Sequence, residues 1–132
     1  MVLVDARGTP LSADIHSASH HDVKLIEPLL EHRQLRQRLN RLIYDTAADS
    51  DPLRARLKAR GIELICPHRS NRKRPKTQDG RPLRRYKRRW KIERTNSWLQ
   101  NFRRLVVRYE HRADLFQGLV SLACLFITLQ KF

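Results

Sequence analysis

The 132-residue sequence predicts an α/β fold, built as one domain or as part of one. Three observations carry that prediction. A strand–helix–strand pattern runs over residues 41–66, two extended runs joined by a turn signal open the chain, and two long helical periodicities close it. The expected arrangement is an N-terminal hairpin, a short mixed sheet, flanking helices and long C-terminal helices.

Val2-Leu3-Val4 is apolar, Ala6-Arg7-Gly8-Thr9-Pro10 is a turn signal, and residues 11–15 complete the predicted hairpin. A chain that opens inside a strand creates the expectation of further residues upstream. Asp22 is the expected N-cap of a helix over residues 23–39, where Leu25, Ile26, Leu29, Leu30 and Leu35 fall at helical spacing. Pro28 marks either its first turn or a kink. Arg41-Leu42-Ile43-Tyr44 reads as a buried strand ending at Asp45. Ser50-Asp51-Pro52 starts a helix over 53–60, which Gly61 stops. Residues 62–66 form the next strand, ended by Pro67, and parallel pairing of the two strands would require a right-handed crossover. Residues 68–82 are a polar loop punctuated by Pro75, Gly80 and Pro82. One long amphipathic helix is expected over 83–105, and a buried helix over 113–130.

Lys and Arg total 28 against 13 Asp and Glu, a formal net charge of +15. Such an imbalance calls for a polyanionic partner, nucleic acid first and an anionic membrane surface second. A hydrophobic content of 40% excludes wholesale disorder. Cys66 and Cys124 each sit in an apolar run, which argues against a disulfide scaffold and for a reducing compartment; their spacing excludes a zinc finger. The apolar stretch 115–129 is too short to span a bilayer, which takes about 20 residues, and the N-terminus lacks the features of a signal peptide. The expected location is therefore the cytoplasm, with no membrane partner.

Three constellations bear on chemistry. Asp45 directly follows a buried strand, at the edge where open α/β folds bind ligands; it reads equally as a turn former or N-cap. Asp49 and Asp51 read as caps. Tyr86-x2-Arg89-x3-Glu93 places three residues on one face of the expected long helix. Glu93 there is either a neutralised surface group or a carboxylate ligand for Mg²⁺, a cation that takes hard oxygen donors. The third is the stretch 69–91, with twelve Lys or Arg, one acid and the interleaved aromatics Tyr86 and Trp90. It reads as a phosphate-backbone contact surface made by Arg69, Arg72, Lys73, Arg74, Lys76, Arg85, Arg88 and Lys91, extended by Arg94. The pair His20 and His21 reads as a loop or cap, since no third ligand is spaced to join it.

Leu42-Ile43-Tyr44-Asp45-Thr46-Ala47-Ala48-Asp49-Ser50-Asp51-Pro52, Arg60-Gly61-Ile62-Glu63, Pro67-His68-Arg69-Ser70-Asn71-Arg72-Lys73 and Arg89-Trp90-Lys91-Ile92-Glu93-Arg94-Thr95-Asn96 resemble the C-terminal half of bacterial insertion-sequence DDE transposases. The branch is the one related to the IS4 and IS5 elements. The resemblance implies a partial ribonuclease H-like fold and DNA transposition. It also implies two Mg²⁺ or Mn²⁺ ions held by two Asp and one Glu. Asp45 matches the second Asp, Glu93 the Glu, and Tyr86 and Arg89 the residues flanking that Glu. Both carboxylates would be catalytic residues and metal ligands, and should approach each other in the fold. The first Asp is expected on a strand upstream of residue 1; Asp5 does not match it. Thr46 and Ala48 stand where the family has a basic residue and a Tyr, and Gln100 where it has a Lys. The expected partners are DNA (element ends and target) and either a second copy or a full-length transposase, in a bacterial, nucleoid-associated setting. The alternatives are an inactive DNA-binding remnant or regulator, and the downstream half of a frameshifted transposase.

Overall fold

A computed structural model describes residues 1–33, 38–78 and 80–131. The chain divides into two compact units: Met1–Arg36 joins Trp90–Phe132 in the first, and Gln37–Arg89 makes the second.

In the first unit, β1 (Val2–Val4) pairs antiparallel with β2 (Pro10–Ala13), Val2 opposite Ala13 and Leu3 opposite Ser12, with a register shift between Leu3 and Val4. The turn follows from two residues. Asp5 Oδ1 accepts the backbone N–H of Arg7 at 2.7 Å and of Thr9 at 2.8 Å, and Gly8 takes φ +78°, open to glycine at little steric cost. Helix α1 (Asp22–Glu31) buries Ile26, Leu29 and Leu30. It is shorter than predicted. His21, which makes no side-chain capping bond, holds the N-cap position, and Asp22 lies in the first turn, where its charge still complements the helix dipole. Pro28 lies inside the helix rather than in its first turn, and its missing N–H removes one bond of the ladder. At the C-cap, His32 turns its ring to Asp14, 2.8 Å away. Leu35 lies outside the described residues.

The second unit is the strand–helix–strand pattern. β3 (Arg41–Ile43) and β4 (Glu63–Ile65) pair parallel and in register, Leu42 opposite Leu64. Between them runs α2 (Asp51–Ala59), capped by the Ser50 hydroxyl, which accepts the Leu53 N–H at 3.5 Å, and started by Pro52. Gly61 closes its end at φ +74°. Leu53, Leu57, Ile65 and Cys66 are fully buried and form the core of this unit. In place of one short mixed sheet, the described residues form two sheets of two strands. The hairpin closes locally on its Asp5 turn, and the parallel pair depends on its own crossover helix.

The expected helix over 83–105 is broken into pieces. A short α3 (Gly80–Leu83) leads into a 3-10 segment, Arg84–Arg89, then α4 (Trp90–Gln100) and α5 (Arg103–Val106). Five of the six residues in Arg84–Arg89 are cationic, and like charges three or four apart on an α-helix repel. At Asn101 and Phe102 the backbone N–H groups bond three residues back, to Trp98 and Leu99, which tightens and ends α4. The last helix, α6 (Ala113–Leu129), forms where predicted but is buried only along Val120, Ala123 and Ile127. The neighbours β2, α4 and α5 pack on it, leaving Leu115, Leu122, Leu125, Phe126 and Leu129 exposed. The expectation of a buried helix is thus corrected to one buried along a single stripe.

Candidate functional site

Asp45 stands one residue beyond Tyr44, whose N–H continues the strand pairing onto Ile65 O at 3.0 Å. Its carboxylate is fixed on two sides. Oδ1 accepts the Ala47 N–H at 2.9 Å and so caps the 3-10 turn Thr46–Ala48, while Oδ2 lies 4.0 Å from Arg89 Nη2. Arg89 in turn donates from Nη1 to the Tyr86 hydroxyl at 2.9 Å. The strand-end carboxylate and the Tyr-x2-Arg pair, more than forty residues apart in sequence, meet in one unit. Three-residue spacing on a 3-10 helix superimposes Tyr86 on Arg89, so the motif's first half needs no continuous α-helix. Glu93 belongs to the first turn of α4, in the other unit, and is exposed.

Asp49, expected as a cap, is instead the hub of the second unit, its side chain only 3% exposed. Oδ1 accepts from His68 Nδ1 at 2.8 Å and Arg54 Nη2 at 3.1 Å, and Oδ2 accepts the Arg69 N–H at 2.9 Å. Burial would raise its pKa, but the bonds from Arg69, His68 and Arg54 outweigh that and hold it down at about 2. His68 Nε2 accepts the Thr77 N–H at 3.1 Å, which ties the following loop to the same hub. Asp51 receives Arg72 through both oxygens, at 2.8 and 3.0 Å, and Arg74 at 3.3 Å. Arg69 wraps the turn that Asp45 caps, donating to Thr46 O and Ala47 O, each at 3.3 Å. Cys66 is a free thiol pushed up to about 11, chiefly by burial, with Arg54 opposing.

The predicted phosphate contacts therefore fall into groups. Arg69, Arg72 and Arg74 hold the loop after β4 onto Asp49 and Asp51. In the first unit, Lys91 and Arg94 hold the hairpin turn: Lys91 Nζ donates to Ala6 O, and Arg94 Nη2 donates to Arg7 O at 2.8 Å. Arg94 also lies 4.8 Å over the rings of both Trp90 and Trp98. Lys73, Lys76 and Arg88 are exposed, and Arg85 is half-buried along an open groove that Lys58 and Arg81 also line.

Sequence reasoning did not single out Asp49 as a hub or Thr95 as a lock. Thr95 is fully buried and donates its hydroxyl to Gly8 O at 2.7 Å. The spacing of Asp49 from Arg54 on the entry to α2 was the available signal for the first; a lone Thr among polar residues offered none for the second.

A family profile described as the transposase DDE domain matches residues 1–127. The chain belongs to that family. A Burkholderia cepacia protein described as a transposase for insertion sequence element IS402 is 37% identical over 134 aligned positions, covering 96% of this chain and 60% of the relative. The chain thus spans about three-fifths of that relative's length. No solved structure matches the chain. Among the described residues no helix is long and apolar enough to cross a membrane. DDE transposases as a family use divalent metal, and hard carboxylate oxygens suit such ions. Yet no group of three or more His, Cys, Asp or Glu among the described residues could hold one.

Proposed function

We propose that this chain is the C-terminal part of a ribonuclease H-like DDE catalytic domain acting in DNA transposition, with the first strand and first Asp supplied from outside it. The observation that carries the reading is the meeting of Asp45 with Arg89 and Tyr86. A strand-end carboxylate is oriented by a backbone N–H on one oxygen and faced by a guanidinium on the other. In the intact enzyme, Asp45 and Glu93 would be two of the ligands to a pair of Mg²⁺ or Mn²⁺ ions. Such ions activate the attacking oxygen and stabilise the leaving one when DNA is cut and joined. Arg89 offsets the repulsion between Asp45 and an approaching phosphate, and Tyr86 fixes its guanidinium. Lys73, Lys76, Arg85 and Arg88 bind the DNA backbone without reading sequence. Arg69, Arg72 and Arg74 position the loop that presents them.

Titrating duplex DNA against the chain over a range of salt tests the binding half. Replacing Lys73, Lys76 and Arg88 by Ala should lower the slope of log affinity against log salt by about 0.9 for each phosphate no longer neutralised; an unchanged slope overturns the assignment. Arg72→Ala should instead loosen the loop. The chain alone should not nick DNA carrying the element's ends in Mg²⁺ or Mn²⁺. Metal-dependent cleavage that disappears in Glu93→Gln would show that it carries a complete site.

A further inference from the structure

Among the described residues, one hydrogen bond orients the Asp45 carboxylate: Oδ1 accepts the Ala47 N–H at 2.9 Å. Arg89 Nη2 stands 4.0 Å from Oδ2, beyond hydrogen-bond reach. The direction of the Asp45 side chain therefore depends on where the Ala47 N–H points. That N–H belongs to the peptide joining Thr46 to Ala47. A peptide is planar, so its carbonyl and its N–H turn together. The carbonyl end of this same peptide is held twice. Thr46 O accepts the Asp49 N–H at 3.2 Å, which closes the 3-10 turn, and Arg69 Nε at 3.3 Å. Arg69 Nη2 donates to the next carbonyl, Ala47 O, also at 3.3 Å. One edge of the guanidinium thus spans two consecutive carbonyls, a fork that arginine offers and lysine lacks. The bonds to Thr46 O also polarise the peptide and make its N–H a better donor to Asp45. Arg69 itself starts from a fixed place, since its backbone N–H donates to the buried Asp49 carboxylate at 2.9 Å.

We propose, resting on the reading of Asp45 as a catalytic carboxylate, that Arg69 is its positioning residue. The guanidinium locks the Thr46–Ala47 peptide, and the peptide locks the carboxylate through Oδ1, leaving Oδ2 on the side that Arg89 faces. This gives a use inside the fold to a cation that the sequence alone places among the phosphate contacts. The two roles make different demands. A phosphate contact asks for charge and reach, which a lysine ammonium supplies as a point charge. A clamp on two carbonyls asks for two N–H donors fixed in one plane, which lysine cannot present. The roles therefore part at Arg69→Lys, which keeps the charge and loses the fork.

Three-bond NMR couplings from the backbone nitrogen and carbonyl carbon of Asp45 to its carboxyl carbon read the side-chain rotamer directly. The unaltered chain should show one rotamer. Arg69→Lys and Arg69→Ala should both show averaged couplings, while exchange protection at Tyr44 and Ile65 reports an intact sheet. Exchange at the Ala47 amide should quicken about fivefold in both, the weight of one hydrogen bond. The salt dependence of DNA binding should be unchanged in Arg69→Lys. In a transposase that includes the upstream part, Arg69→Lys should lower kcat for DNA cleavage about 10²-fold, the effect of a misplaced group, at unchanged KM. Averaged couplings in the unaltered chain, or a single rotamer retained in Arg69→Lys, would overturn the clamp. Full cleavage by Arg69→Lys would overturn its use in catalysis. Undiminished cleavage by Asp45→Asn would instead overturn the reading of Asp45 as catalytic, whatever the couplings show.

Discussion

The lock on the hairpin turn and the hub of the second unit close on different acceptors. In the first, the hairpin turn offers backbone carbonyls to donors from the chain's far end. Lys91 takes Ala6 O, Arg94 takes Arg7 O, Thr95 takes Gly8 O, and Lys131 reaches Arg7 O at 3.3 Å. In the second, two carboxylates, Asp49 and Asp51, gather His68, Arg54, Arg72 and Arg74. A carbonyl has no proton to gain across the accessible pH range, whereas a carboxylate does. The same chain thus has one lock built on carbonyls and one built on carboxylates, and only the second gains protons in acid.

The strongest way to break the contrast is Asp49→Ala. It takes the carboxylate partner from Arg54 and His68 in a nearly closed site, leaving Arg54 on the Leu64 and Cys66 carbonyls and His68 on the Thr77 N–H, and losing the carboxylate partner of a buried guanidinium costs up to about 3–5 kcal/mol. Hydrogen exchange at the Tyr44 and Ile65 amides should accelerate accordingly, while protection at Leu3 and Asp5 holds. Acid does the same more gently. Asp49 titrates at about 2 in the fold against an ordinary 3.8. The folded pKa is the lower one, so its stabilisation is complete above pH 4 and is lost as pH falls from 4 through 2, about 2 kcal/mol in all. Over that window the second unit should lose protection and the hairpin should keep it; parallel loss in both would remove the distinction.

Gly8→Ala probes the carbonyl lock. The new methyl meets Thr95 Oγ1 at 3.1 Å and Lys91 O at 3.3 Å, at φ +78°. A cost of about 1–3 kcal/mol is expected from the backbone alone, read as lost protection in β1. Thr95→Val should cost about 1 kcal/mol and Thr95→Ser far less, because Ser keeps the hydroxyl. The smallest effect belongs to the exposed pair Arg41–Glu63, 3.2 Å apart. Arg41→Ala should change stability by less than about 0.5 kcal/mol.

Local chemistry was legible in the sequence wherever a residue acts on its neighbours. The hairpin turn over Ala6–Pro10, the Ser50-Asp51-Pro52 helix start, the Gly61 stop and the two strands around α2 all follow from spacing and turn residues. The long helix was misread because periodicity registers apolar spacing and not the repulsion among Arg84, Arg85, Lys87, Arg88 and Arg89. The outer face of α6 reads as core for the same reason: Leu122 and Ile127 look alike in sequence, and only the packed neighbours separate them. For the candidate site, the pattern singled out Asp45, Tyr86, Arg89 and Glu93, and the contact of Arg89 with Asp45 and Tyr86 appears only in the fold. The absorption of Arg69, Arg72 and Arg74 into the fold was not, since a basic run does not announce which of its members has a carboxylate nearby.

The first unit is discontinuous, and that bears on the order in which the protein forms. Residues 37–89 are contiguous, and their parallel pair closes over a separation of 22 residues, Arg41 to Glu63. The lock on the hairpin turn bridges 85 to 87 residues, from Ala6, Arg7 and Gly8 to Lys91, Arg94 and Thr95. Distant contacts are reached more slowly than near ones, and during synthesis the N-terminal strands leave the ribosome long before α4 does. The inserted unit therefore has the means to condense first, while the hairpin waits with its turn carbonyls in water. Ribosome-stalled chains in which residue 89 has just cleared the exit tunnel should already protect Tyr44 and Ile65 from exchange. Protection of Leu3 and Asp5 should arrive only once residues beyond Thr95 are free of the exit tunnel.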